Sequence, residues 1–385
     1  MARKVVAFDF LSGDILLSVP ASTCEWSMRH RAPGQIFATI KWEGLTPSRA
    51  VDLFNALEPW RRGLAVIEED EKTDARYVLQ AGPILGTEYQ LESNELGVLA
   101  GSIETWLLRR TAIATSYVTK PEQYRVKFTA TLGDIVRRVT ADALAHTYGD
   151  PPINLPATVA GTNTLTVKGY ELKRVWELIE GLMGRIGGPD VRIEPALRSD
   201  NLGIEWNMTV GSESDPLLSQ AGNDWAWDIA ALKPGAPNVS VSRDGSNMAT
   251  RVWVVGSGTG SQTMIEGEDA TSRLLAGWPL LERVERHNSV TETETLEAYA
   301  EAYAALRSRP VATWGIVVRD TADPKLGRYR PGDWVSLRLP RVTANAAPYI
   351  ALAAGTENLR CRIGEVSGGF GHDISVALVP QLENR

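Results

Sequence analysis

The sequence predicts a mainly β protein with α+β insertions. Three observations carry that prediction. Short stretches alternating apolar and polar residues, separated by glycine and charged turns, fill residues 1–115. Two stretches with helical apolar spacing follow, near 131–149 and 170–184. Beyond residue 236 the alternation returns, broken by a single further helix.

The first region is justified strand by strand. "QIFATIKW" places Ile36, Ala38, Ile40 and Trp42 on one face. "GLAVIEED", "RYVLQAGPIL" and "TEYQLESNELGVLAGSI" follow, and "TPSRAVDLFNALEPW" between them reads as a short helix or wide loop ended by Pro59. Several short strands in succession suggest a barrel or a sandwich. The acidic run "EEDEKTD", Glu68 to Asp74, reads as a solvated turn.

In the second region "TLGDIVRRVTADALAHTYG" aligns Leu132, Ile135, Val136, Val139 and Ala143, with Thr131 and Asp134 as a capping pair and Gly149 closing. "YELKRVWELIEGLMG" aligns Leu172, Val175, Trp176, Ile179 and Leu182 or Met183. "DVRIEPAL" and "GIEWNMTVGS" read as a hairpin, completing a small α+β unit.

In the third region Asp244-Gly245 supplies a turn within "VSVSRDGSNMATRVWVVG". The clearest helix runs from Thr291 to Arg307, with Leu296, Tyr299, Tyr303 and Leu306 inward, Ser289 and Glu292 as a capping box and Pro310 as its stop. "TWGIVVRD" is a strand, and in "RYRPGDWVSLRLP" a Pro-Gly-Asp turn precedes Val335, Leu337 and Leu339 on one face. "RCRIGEVSGGFG" and "DISVALVP" are the last strands. The division is 1–115, 116–235, a discontinuous β region of 236–262 and 311–385, and a loop-and-helix insertion at 263–310.

Composition narrows function. The hydrophobic share of 43% and charged share of 23% are those of a globular protein. No window reaches the ~18 uninterrupted apolar residues of a membrane span. Asp9 and Asp14 interrupt the N-terminal apolar run, so a signal peptide is not expected and folding in a cytoplasm is. A net charge of −7 argues against general nucleic-acid binding. Cys24 and Cys361 are far apart, and His30, His146, His287 and His372 are scattered singly, which suggests neither a disulfide framework nor a metal site.

The stretch "RVWVVGSGTGSQT" tests the dinucleotide fingerprint and fails it. Gly256 and Gly258 fit, but Ser261 stands where the third glycine belongs and no clean helix follows. A phosphate loop needs a lysine, and none lies between Lys233 and Lys325. Gly256, Gly258 and Gly260 therefore read as a mobile connection after a strand. No G-x-S-x-G or H-E-x-x-H is present. The expectation is no catalytic, cofactor-binding or metal residues and no enzyme activity. Twelve tryptophans spread along the chain read as core fillers; tryptophans lined along one face would instead mark a carbohydrate site.

The order of elements resembles the central hub proteins of phage tail tips, the siphophage tail-associated proteins and the contractile-phage baseplate hubs. "AGPILGTEYQLESNELGVLAGSIETWLLRR", "TLGDIVRRVTADAL", "YRPGDWVSLRLP" and "IGEVSGGFGHDISVALVP" are similar in style to that family's strand pair, recurring helix, barrel restart and closing hairpin. The resemblance covers most of the chain and rests on order, since each motif alone is common. It implies two β-barrel-like domains, a small α+β domain and a helical insertion. It further implies a minor tail protein of the virion, made in the host cytoplasm. Its homotrimer would close the tail tube against a distal tail protein ring, the tape measure protein and other tail-tip or fibre proteins. DNA would pass the channel during genome ejection without specific binding. It transfers no catalytic residue and no cofactor. The alternative is a cell-wall-binding or cell-wall-degrading tail protein, a carbohydrate module or hydrolase whose acid pair meets only in space.

Overall fold

A computed structural model describes residues 2–70, 75–185, 187–229, 238–287, 290–339 and 358–380. They form two compact units, Met1–Val239 with Gly315–Arg385, and Ser240–Trp314. The architecture is mainly β with helical insertions.

The larger unit begins with β1 (Ala2–Asp9), β2 (Ile15–Val19), β3 (Ala21–Arg29), β4 (Gln35–Lys41), α1 (Pro47–Ala56), β5 (Arg62–Asp70), β6 (Ala75–Gln90), β7 (Glu95–Gly101) and α2 (Ile103–Leu107). Ile36, Ala38 and Ile40 are fully buried, as their alternation requires. Thr46 caps α1 by accepting from the Arg49 amide. Next come β8 (Arg125–Ala130), α3 (Leu132–Leu144), β9 (Ile153–Asn154), β10 (Asn163–Lys168), α4 (Val175–Met183), β11 (Val191–Leu197), β12 (Ile204–Val210) and β13 (Trp225–Asp228). Thr131 accepts from the Asp134 amide at 3.1 Å to start α3, and β11 and β12 form the expected hairpin. Leu172 departs from expectation. It is exposed, with a left-handed φ of 47°, because α4 begins only at Val175.

The chain continues through β14 (Asn238–Asp244), β15 (Arg251–Val255), β16 (Ile265–Asp269), α5 (Thr271–Leu275), β17 (Glu282–Arg286), α6 (Thr293–Arg307), β18 (Val311–Arg319), β19 (Trp334–Arg338), β20 (Asn358–Gly369) and β21 (Asp373–Pro380). One sheet of 13 strands runs β14-β18-β21-β20-β3-β4-β7-β6-β5-β1-β2, with β19 beside β20 and β13 beside β19. The two β regions of the sequence thus meet through β3 and β20, in register from Glu25 opposite Gly369 to Arg29 opposite Glu365. No closed barrel is detected among the described residues. The core of the larger unit is continuous from that sheet into the helical part. The Trp206 ring meets Phe8 at 5.8 Å and Phe10 at 5.9 Å. No described helix is long and apolar enough to cross a membrane.

The smaller unit is a three-stranded sheet, β16-β15-β17, with α6 packed on it. Two expectations are corrected here. The glycine loop is built, not loose: the Gly256 amide donates to Met264 O at 2.8 Å and the Met264 amide to Ser257 O at 2.9 Å, closing a β15–β16 hairpin. The buried stripe of α6 is Leu296, Ala300 and Ala304, while Leu306 is 57% exposed. Spacing of i, i+4, i+8 keeps the two alanines over the sheet, and Leu306 falls on the solvent side. Tyr299 and Tyr303 flank the stripe half-buried, stacked with His287. Glu292 occupies the N-cap without a side-chain bond to a helix amide, its carboxylate accepting instead from the Thr295 hydroxyl at 3.4 Å, and Ser289 lies outside the described residues. Asp244 does make a turn, accepting from the Ser246 amide at 2.8 Å, but β14 lies beside β18 and not β15.

Candidate functional site

Buried charge in the larger unit is concentrated in two clusters, and both tie distant strands together. The first centres on Arg3 of β1, whose side chain is 3% exposed. Its Nε meets Glu68 of β5 at 2.7 Å and its Nη2 meets Asp320, just past β18, at 2.8 Å. Its Nη1 donates to the carbonyls of Gly369 and Gly371 at the β20–β21 turn. His372 reaches the same Asp320 carboxylate at 3.0 Å, and Lys325 pairs with Asp70 at 3.0 Å. Burial pushes the Glu68 carboxyl above its ordinary range; Arg3 opposes that shift and Asp320 adds to it. The acidic run is therefore not a solvated turn at its start. β5 is buried without a break from Gly63 to Glu68, and Glu68 and Asp70 share the strand face of Leu64 and Val66, while residues 71–74 lie outside the described residues.

The second cluster surrounds Asp190, whose side chain is fully buried. Arg31 approaches at 2.6 Å, Arg362 joins it, His30 lies at 3.5 Å and the Leu218 amide donates at 3.0 Å. Burial alone would raise the Asp190 carboxyl. Bonds from His30 and Arg362 and their charges outweigh it and hold the carboxyl well below the usual range. Burial lowers His30. Beside it Arg192 pairs with Asp333 at 2.9 Å, and Asp333 also accepts from Trp225 Nε1 and the Arg330 amide. Asp333 is the acid of the Pro-Gly-Asp turn. Gly332 there has φ 91°, and a Cβ on it would stand 2.8 Å from Arg192 Nη2, so this turn requires glycine. The adjoining cavity holds about 60 Å3. That is smaller than the roughly 300–1,000 Å3 of ordinary ligand sites, and the contacts of the cluster fasten distant segments of the chain together.

The scattered histidines stay apart. His146 contacts Ile113 O and His287 contacts the Tyr303 hydroxyl. Among the described residues no three metal-ligating side chains converge. Cys24 and Cys361 are buried, and burial pushes both thiols up to about 12. Six tryptophans, at 26, 106, 176, 206, 227 and 314, are in the core. The most exposed, Trp60, is 37% exposed.

What the larger unit presents is surface. One broad, shallow face crosses β4, β3, β20 and β21, with Glu25, Gln35, Phe37, Glu365, Ser367 and Ser375 on it. Arg29 answers Glu365 at 3.2 Å, which leaves Glu25 as the one further charge among the residues lining that face. This face was missed in the sequence, because the β3–β20 pairing that makes it joins residues more than three hundred positions apart.

Sequence comparison finds no matching family model and no matching curated protein. Structural comparison finds the fold. A 43 kDa tail protein of prophage MuSo2 from Shewanella oneidensis superposes with a TM-score of 0.56 at 11% identity, covering 98% of both chains. A tail protein from Neisseria meningitidis gives 0.55 at 12% identity, over 99% of this chain and 97% of that one. A chain of the Francisella PdpA–VgrG complex gives 0.51 at 7% identity, with 98% of this chain matching 52% of that one. The chain shares its fold with these two tail proteins over 98–99% of its length, and with part of a chain in the VgrG complex.

Proposed function

We propose that the chain is a structural component of a phage tail tip: a central hub, three copies around the tail axis, closing the tail tube and organising its neighbours for genome delivery. The observation that supports this reading is the end-to-end fold likeness to two tail proteins, covering nearly all of each chain. The buried charges point the same way, since they are spent on fastening strands. The two β regions then act as barrel-like units, so that three chains offer six similar surfaces to a six-fold tail ring, as the hub resemblance implies. Neighbours on this reading are the distal tail ring, the tape measure protein and tail fibres, and the chain carries no catalysis. Copy number and position in assembled particles, read by electron cryo-microscopy, test the hub. A zymogram of the pure chain on host cell wall tests the missing catalysis, and reproducible clearing would refute it.

A further inference from the structure

Two exposed apolar features are used by nothing described so far, one in each unit. The first is a groove of about 660 Å3 beside α1, lined by Trp42, Phe54, Leu57, Glu58, Tyr89 and Leu96 among others. Helix α1 turns Leu53 and Ala56 inward, yet Phe54 stands 68% exposed. Trp42 and Tyr89 pack edge to face at 6.5 Å and form the groove's aromatic wall. Glu58 is the single charged side chain in its lining and is exposed, with no salt-bridge partner among the described residues.

The second feature is the turn "TSRLLAGWPLL", Thr271–Leu281, between β16 and β17. Leu275 is 84% exposed, and Leu280 and Leu281 are exposed with it. The turn is built, not loose. The Trp278 amide donates to Arg273 O at 3.1 Å, Gly277 takes φ 86°, and Thr250 Oγ1 binds both Pro279 O and the Leu281 amide. Its only charge is Arg273, stacked over the Trp278 ring at 5.7 Å and in no salt bridge among the described residues. An ordered, solvent-facing apolar knob signals a partner.

We propose that the 271–281 turn of one copy seats in the Phe54 groove of a second copy, with Arg273 meeting Glu58. The match is one apolar knob carrying one cation to one apolar groove carrying one anion. Both are exposed on the same chain, so every copy brings a knob and a groove. A contact between two different faces of one chain is head-to-tail, and it closes a ring when the rotation it sets repeats around an axis. The proposal rests on the ring reading above and names its contact.

Sedimentation of the full chain over a concentration series tests it, alongside cross-linking of a mixture of Glu58→Cys and Arg273→Cys chains with a short bis-maleimide. Self-association is expected to weaken at least about tenfold in Phe54→Asp and in Leu275→Asp. It should weaken about fivefold in Glu58→Arg or Arg273→Glu and recover in the double reversal. Phe54, Glu58 and Leu275 are exposed and Arg273 is half-buried, so unchanged circular dichroism and melting temperature will show that the variants fold. The cysteine mixture is expected to give a covalent pair containing one chain of each kind. Association that is unchanged in both Phe54→Asp and Leu275→Asp overturns the contact and leaves the ring standing. A chain that stays monomeric and gives no mixed product also overturns the contact, and copy number in particles then decides the ring separately. Loss of Phe54→Asp chains from particles with self-association intact means another protein fills the groove, which overturns the proposal too.

Discussion

Asp190 is where a single residue matters most. Its fully buried carboxylate holds Arg31, Arg362 and His30 together. Removing one partner of a buried charge group strands the others, so Asp190→Ala should cost about 3–5 kcal/mol in chemical denaturation. The pH dependence follows from the lowered carboxyl. A depressed folded value means its stabilisation is complete above the ordinary carboxylate range, about pH 4, and is lost as pH falls through the folded value. Wild type should therefore lose stability more steeply below about pH 4 than Asp190→Ala; parallel curves would show that the cluster does not titrate as argued. Cysteine reactivity gives a second test. With both thiols buried and raised to about 12, a disulfide reagent should leave the native chain untouched and titrate two thiols after unfolding. None of this was legible residue by residue. Asp190 follows a Gly-Gly-Pro run that reads as an ordinary turn, and its partners come from positions 30–31 and 362. Glu68 was closer to legible, since the period of two puts Glu68 and Asp70 on the same face as Leu64 and Val66.

At the scale of elements, local pattern served well wherever neighbours in sequence decide the structure. The Thr131 cap, the β11–β12 hairpin and the Ile36–Ile40 face all depend on residues within a few positions. Helix α6 marks the limit: periodicity located the helix, but burial followed the sheet beneath it, which chose small Ala300 and Ala304 over Leu306. Leu296→Ala should then cost about 2–5 kcal/mol, whereas Leu306→Ala and Glu301→Ala should each stay within about 0.5 kcal/mol. Equal losses at Leu296 and Leu306 would mean the helix is rotated from the position described. The glycine loop makes the converse point. Glycines at every second position suggested freedom, yet Gly258 has φ 116° and a Cβ there would lie 2.2 Å from Gln262 O. Glycine is needed for shape at that point. The Gly256 and Met264 amides should exchange slowly in the isolated chain, and Gly258→Ala should abolish that protection while leaving α6 amides slow. Fast exchange at Gly256 and Met264 in the unaltered chain would restore the mobile reading.

The larger unit is organised by the β3–β20 pairing, which turns two regions at opposite ends of the sequence into one sheet with a face carrying Glu25 and the Arg29–Glu365 pair. In the hub reading such a face is suited to line a passage for DNA. Phosphates passing that wall meet Glu25, while Arg29, the one cation among its described lining residues, is tied to Glu365, and three copies carry three times the chain's net −7. A wall with added lysines would behave differently, because each lysine that neutralises a phosphate makes retention fall with rising salt. Particles assembled with Glu25→Lys and Ser367→Lys chains should therefore release DNA more slowly than wild type at low ionic strength. They should regain the wild-type rate as salt is raised, with particle yield unchanged. A cryo-microscopy reconstruction of the same particles fixes the geometry: three copies on the tail axis with residues 25 and 367 facing the lumen. Six copies, or an off-axis position, would remove the hub. Three copies with this face turned away from the lumen would remove only the electrostatic argument, and release kinetics that ignore both lysines at every salt concentration would remove it too.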